Sequence, residues 1–147
     1  MNATTPTPVN VQQVVPFFTV SDMRASLKFY VDGLGFNIAH KWEPDGNLRW
    51  CSLVLGSASI MLQQRRVADA PPAKPGEGVI AHFICRDALA VYRDLSARGV
   101  NAPQEPFVSN SMWFFMLNDP DGYRIAFESH TNVREGMTMS EYEWTKA

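Results

Sequence analysis

Cysteine is scarce: with two in 147 residues, the chain has no basis for a disulfide framework. Both, Cys51 and Cys85, lie in apolar, strand-like runs where a thiol behaves as a small hydrophobe, so they read as reduced core residues of a cytoplasmic protein. Long apolar runs are missing too, and nothing approaches the roughly 20 residues that span a bilayer. The first ten residues carry neither basic side chains nor an apolar h-region, which argues against export. The formal charge is only -2 and there is no Lys/Arg block, so the composition supports neither nucleic-acid nor anionic-membrane binding. No Gly-x-Ser-x-Gly elbow occurs, which removes the simplest route to an activated-serine hydrolase. Small-molecule chemistry is what these absences leave.

What is present is a core-rich chain, 46% hydrophobic and 19% charged, enough for one compact domain or two small fused modules. The strongest local signal is residues 113–128, where two apolar runs flank Asn118-Asp119-Pro120-Asp121-Gly122. Pro120 suits the fixed φ of a turn's second position and Gly122 a left-handed one, which predicts a β-hairpin. Period two then sets Tyr123, Ile125 and Phe127 toward a helix or core, and Arg124, Ala126 and Glu128 toward a cavity or solvent.

Ahead of that hairpin, residues 1–13 read as a flexible N-terminal tail. Residues 14–20 read as a strand, with Pro16 confining it to an edge or terminus. Ser21-Asp22 caps a helix whose apolar stripe is Met23, Leu27, Tyr30 and Leu34, stopped by Gly33 and Gly35. Strands follow over 36–42, 50–55 and 59–64. Residues 65–78, with Pro71, Pro72, Pro75, Gly76 and Gly78, form a linker. A strand over 79–85, a helix capped by Asp87 and stopped by Gly99, and a weak strand over 100–105 lead into the last hairpin. The C-terminal tail, 130–147, mixes acids with Met137, Met139, Tyr142 and Trp144, a composition suited to lying over the body or a partner.

The two helix caps expose an internal repeat. Val15 and Ile80 each precede their cap by seven residues, and Met61 and Ala126 each follow by 39. Each half reads strand, helix, three strands. The expected fold is α+β, two βαβββ modules (about 14–64 and 79–129, one domain over 14–129) forming curved sheets around a cleft.

Val20-Ser21-Asp22, Ser26-Leu27-Lys28-Phe29-Tyr30, Leu34-Gly35-Phe36 and Asp119-Pro120-Asp121-Gly122-Tyr123 resemble the vicinal oxygen chelate superfamily of glyoxalases, extradiol dioxygenases and bleomycin-resistance proteins. Val15-Pro16-Phe17 and Phe115-Met116-Leu117-Asn118-Asp119-Pro120 are most similar to its antibiotic-binding, bleomycin-resistance branch. The resemblance implies paired βαβββ modules, a homodimer and ligand sites enclosed by concave sheets. It also implies that the four inward positions holding metal ligands in other members match Val15, Met61, Ile80 and Ala126. None of these suits an ordinary divalent ion, since a thioether is too soft a donor and the others have none. No metal and no cofactor are therefore expected.

Two residues farther along three of those strands stand Gln63, His82 and Glu128, with Phe17 at the fourth corresponding place. Their side of the strands is that of the apolar set. The expected ligand-binding residues are Phe17, Trp42, Gln63, His82, Trp113 and Glu128, the aromatics as packing walls and the polar groups orienting a ligand. Trp50, His40, His130, Arg49 and Arg124 are weaker candidates. The function expected is metal-independent binding of a small, partly aromatic molecule in a cleft, of the antibiotic-sequestering kind. The alternative is a lyase, isomerase or dioxygenase in which His82 and Glu128 transfer a proton, or in which they join Gln63 in a displaced metal site.

Overall fold

Two short helices with aspartate caps set the frame. In the computed structural model, which describes residues 5–147, Asp22 accepts hydrogen bonds from the amides of Arg24 (3.0 Å) and Ala25 (3.4 Å) and opens α1 (Met23–Leu27). Asp87 accepts from Ala90 (3.1 Å) and opens α2 (Ala88–Ala97). Both caps have extended backbone, the geometry an N-cap needs to reach the orphan amides of the first turn. The expected N-terminal tail begins in residues 1–4, which lie outside the described residues; residues 5–16 carry no helix or strand.

Each helix follows an edge strand and precedes three more. The first module contains β1 (Phe17–Val20), α1, β2 (Asn37–Trp42), β3 (Trp50–Leu55) and β4 (Ala58–Gln64). The second contains β5 (Ile80–Ile84), α2, β6 (Phe107–Ser109), β7 (Met112–Asn118) and β8 (Arg124–His130). Their sheets have the same order, β1-β4-β3-β2 and β5-β8-β7-β6. In each, the first strand lies parallel to the last, with Phe17 opposite Met61 and His82 opposite Ala126, while the other pairs are antiparallel. The fold is thus α+β, two βαβββ modules with mixed sheets that do not close into a barrel.

Period two sorts each strand into a core side and an open side. Leu53, Ile60 and Leu62 in the first sheet and Phe115, Leu117, Ile125 and Phe127 in the second are buried, while Ser52, Met61, Phe114 and Met116 alternate with them at partial exposure. Each fully buried Leu, Ile or Phe contributes about 1.5–3 kcal/mol of transfer free energy. The two modules share this core. Phe18 stacks on Tyr123 with ring centroids 4.5 Å apart, and Phe36 meets Phe83 edge-on at 5.7 Å. The Tyr30 hydroxyl donates to Asp119 Oδ2 at 2.8 Å, and the amide of Ser21 donates to the Asp121 carboxylate. The Asp-Pro-Asp-Gly turn between β7 and β8 therefore ties the second module to the first.

Three expectations need correction. The first helix does not stay α-helical: after Leu27 it continues as a π-helical segment, Lys28–Gly33, and Ser26 rather than Leu27 is buried with Met23 and Tyr30. The strand expected over 100–105 lies at β6 instead, because Pro103 and Pro106 cannot donate to a ladder and pairing starts only beyond them. The C-terminal segment is not a tail throughout. β8 runs to His130, and Thr138 opens α3 (Met139–Thr145) through a capping box with Glu141. The linker over 65–78 is a loop, pinned where Gly76 (φ +67°) lies against Tyr123; a Cβ there would come within 2.9 Å of the ring.

Candidate functional site

The open faces of the two sheets carry the chemistry. Strand register arranges the first sheet's open side in rows. Thr19, Gln63, Trp50 and Trp42 lie opposite one another across all four strands, and beside them Phe17, Met61, Ser52 and His40 form a second row. Trp42 is 57% exposed and Phe17 48%. In the second sheet Ile84, Glu128, Phe114 and Phe107 make one row and His82, Ala126 and Met116 the next. His82 Nδ1 lies 3.0 Å from Glu128 Oε1, a diagonal contact between these rows, with the imidazole 5.9 Å from the Phe114 ring and Phe107 edge-on to Phe114 at 5.7 Å. The His82 side chain is 41% exposed and that of Glu128 17%, so the pair stands at a solvent-facing surface with an aromatic flank.

The modules' repeat makes these sites counterparts. Phe17 and His82 each sit five residues before their helix cap, Met61 corresponds to Ala126, and Gln63 corresponds to Glu128. The position of Phe17 in the first sheet is thus taken by an ionisable residue, His82, in the second. Gln63 does not join the His82–Glu128 pair within the chain. It lines a cavity of about 530 Å³ with Trp42, Pro44, Arg49 and Arg65, whereas His82 lines a separate cavity of about 480 Å³ with Val14, Pro16, Ser59 and Ile80, where β5 meets the segment leading into β1.

Trp113, expected as a wall of the cleft, points the other way. It alternates with Phe114 on β7, is 5% exposed, and packs against Tyr142 of α3 at 5.3 Å on the core side. Its parity is fixed by Phe115 and Leu117, both buried; Phe114 takes the open-face place. Gln64, unremarked in the sequence, is structural: its Oε1 accepts from the Met23 amide and its Nε2 donates to the Ser21 carbonyl, both at 2.8 Å, locking β4 to the start of α1. Arg65 and Arg66 were also absorbed into the linker by composition, although they follow directly on a strand end and line the same cavity as Gln63. A strand ending in consecutive cationic residues was the available signal.

The electrostatics separate inert groups from available ones. Burial pushes the Cys51 thiol up to about 11 and raises Cys85 as well, so neither is a ready nucleophile. Burial, reinforced by the Asp119 charge, raises the Tyr30 hydroxyl far above the usual phenol range and keeps it a donor. The Arg49 hydrogen bond at 2.6 Å holds the Asp45 carboxyl at about 2. At the four positions where the resemblance implies metal ligands, Met61, Ile80 and Ala126 offer no hard donor, Ala126 is fully buried, and Val15 precedes β1. A divalent ion does not fit that donor set. Among the described residues, no group of three or more His, Cys, Asp and Glu side chains comes together as a metal cluster.

Paired βαβββ modules of identical strand order, with helices on one side and open faces on the other, define the class. The chain belongs to the Glyoxalase/Bleomycin resistance protein/Dioxygenase superfamily, whose profile matches residues 11–127. Among solved structures it is similar to TnmS3, an antibiotic binding protein from Streptomyces sp. CB03234, at 24% identity over 84% of this chain and 100% of that one, with a TM-score of 0.64. TioX from Micromonospora sp. ML1 aligns at 16% identity over 82% and 99%, with a TM-score of 0.66. A superfamily member from Sphaerobacter thermophilus DSM 20745 aligns at 24% identity over 83% and 100%, with a TM-score of 0.63. No curated protein matches the chain.

Proposed function

We propose that the protein binds a small, partly aromatic molecule without metal and releases it unchanged, as an antibiotic-sequestering protein does, with residues 14–129 as the binding unit. The observation that carries this reading is the pair of open sheet faces. Each offers exposed aromatic surface beside a few polar groups: Trp42, Trp50 and Gln63 on one, Phe107, Phe114, His82 and Glu128 on the other. TnmS3, which shares the fold, is described as antibiotic binding, and that supports the same class of ligand here.

A homodimer belongs to the proposal. Phe17, Trp42 and Ile84, 48%, 57% and 69% exposed, lie on open faces that a second copy would cover, bringing the first sheet of one protomer against the second sheet of its partner. The two unpaired thiols support a reducing, cytoplasmic setting. The test is a thermal-shift screen of planar natural products, followed by mass spectrometry of each stabilising compound after incubation. Unchanged compounds with saturable stabilisation support sequestration; rapid conversion of all of them rejects it. Metal content after purification without an affinity metal tests the other half, and a stoichiometric ion lost on Gln63→Ala or His82→Ala would reject metal independence.

The His82–Glu128 hydrogen bond favours one second reading, proton transfer to a bound carbon or oxygen acid, with Glu128 orienting the imidazole. Under that reading His82→Ala abolishes turnover while ligand affinity stays nearly constant. Under the binding reading affinity falls and there is no turnover to lose.

A further inference from the structure

We propose that the cavity at the end of the first sheet selects aromatic carboxylates over neutral or cationic aromatics. The inference rests on the reading of that open face as a ligand site and adds the charge of its ligand. In a chain of net charge -2, three arginines line this one cavity, Arg49, Arg65 and Arg66, with Trp42 and Gln63. Two are already matched. Arg49 pairs with Asp45 at 2.6 Å, and Arg66 makes a two-point contact with Asp69 at 2.9 and 3.1 Å. Arg65, half-buried between this cavity and the neighbouring one over Arg24 and Leu48, has no ion-pair partner among the described residues. One unmatched, planar, two-pronged donor calls for one carboxylate.

The neighbours fit the same ligand. Gln63 has no side-chain hydrogen bond within the described chain, unlike Gln64, whose amide is consumed by Ser21 and Met23. It is free to donate to a second oxygen. Trp42 lies opposite Trp50 in the same row as Gln63, so indole surface stands next to the charged end. A cationic aromatic would meet the unmatched charge of Arg65, the other two arginines being neutralised by Asp45 and Asp69. A neutral one would cover Arg65 and strip its water without replacing it, a cost that an anion offsets. The volume, about 530 Å³, accommodates a two- or three-ring acid.

Calorimetric titration with 2-naphthoate, 2-naphthamide and 2-naphthylmethylammonium compares three charges on one shape. We expect naphthoate to bind at least about tenfold more tightly than naphthamide, and the ammonium most weakly, since a hydrogen bond to a charged group is worth at least that ratio. Arg65→Gln should erase the difference by weakening naphthoate alone, Arg65→Lys should restore part of it, and Trp42→Ala should weaken both acid and amide. Should Arg65→Gln lose its near-ultraviolet circular dichroism, the wild type at two salt concentrations decides: naphthoate affinity falls with salt and naphthamide affinity does not. Equal affinities for acid and amide, equal weakening of both by Arg65→Gln, or no binding of either would overturn the inference. Trp42-dependent binding of naphthamide with no preference for the acid would remove this inference and keep the broader one, whereas failure of every compound in the natural-product screen would remove both.

Discussion

Asp119 is 5% exposed, yet both of its oxygens are used: Oδ2 accepts from Tyr30, and Oδ1 accepts from the amides of Asp121 and Tyr123 at 2.9 and 2.8 Å. Tyr30→Phe removes one donor and leaves a buried carboxylate oxygen bare, which is expected to cost about 1–3 kcal/mol in chemical denaturation, with the fold retained. Burial outweighs these hydrogen bonds and raises the Asp119 carboxyl above its ordinary 3.8. The folded protein therefore holds that proton more tightly than the unfolded chain, so the linked stabilisation is complete below about 3.8 and is lost as pH rises through the elevated folded value. Measured against Asp119→Asn, the wild type should lose stability across that acid window and run parallel above it. Ser26 makes the opposite case. Its Oγ is buried without a partner, so Ser26→Ala is expected to be neutral or stabilising by thermal melt.

Among the elements, α3 is the one whose role the sequence did not show. Its aromatic and acidic composition fitted either the body or a partner, and only the structure puts Tyr142 on Trp113, Met139 in the core and Glu143 on Arg93 at 2.7 Å. Removing residues 138–147 should uncover Trp113 and lose the buried Met139, at a cost on the order of 3–6 kcal/mol in chemical denaturation, the value of two large apolar side chains. What local chemistry determines was legible: both aspartate caps, the Asp-Pro-Asp-Gly turn, and the parity that buries Ile125 and Phe127 while setting Glu128 on the open side. What depends on partners distant in sequence was not. The orientation of Trp113 follows from the register of β7 with β8, which sets it on the core side with Phe115 and Leu117, and composition alone does not carry that register. β6 was displaced because a three-residue strand has too little pattern to outweigh the prolines beside it. Gln63 and His82 share a period-two logic with their neighbours, but nothing in that logic says that the two sheets present them to different cavities.

At the scale of the whole molecule, the two repeated modules pack as one unit. Tyr30, Phe36 and Phe18 of the first module lie against Asp119, Phe83 and Tyr123 of the second, so neither half has a complete core. Denaturation followed by tryptophan emission and by far-ultraviolet circular dichroism should give one coincident transition, and a fragment ending near residue 78 should fail to fold cooperatively. If a second copy covers the open faces, the midpoint should also rise with protein concentration.

The parallel pairing of first and last strands has a consequence for the order in which the chain is made. β1 is synthesised early and can find β4 once residue 64 is out, whereas β5 has no neighbour until β8, the last strand, arrives. Tyr30 waits longer still, since the carboxylate it serves lies 89 residues downstream. For most of translation the first module is thus a nascent sheet with an unfinished core, and the hairpin that completes the second sheet also closes the seam between the two. A ribosome-stalling series should show protease resistance appearing for both halves together, only after β8 has left the exit tunnel.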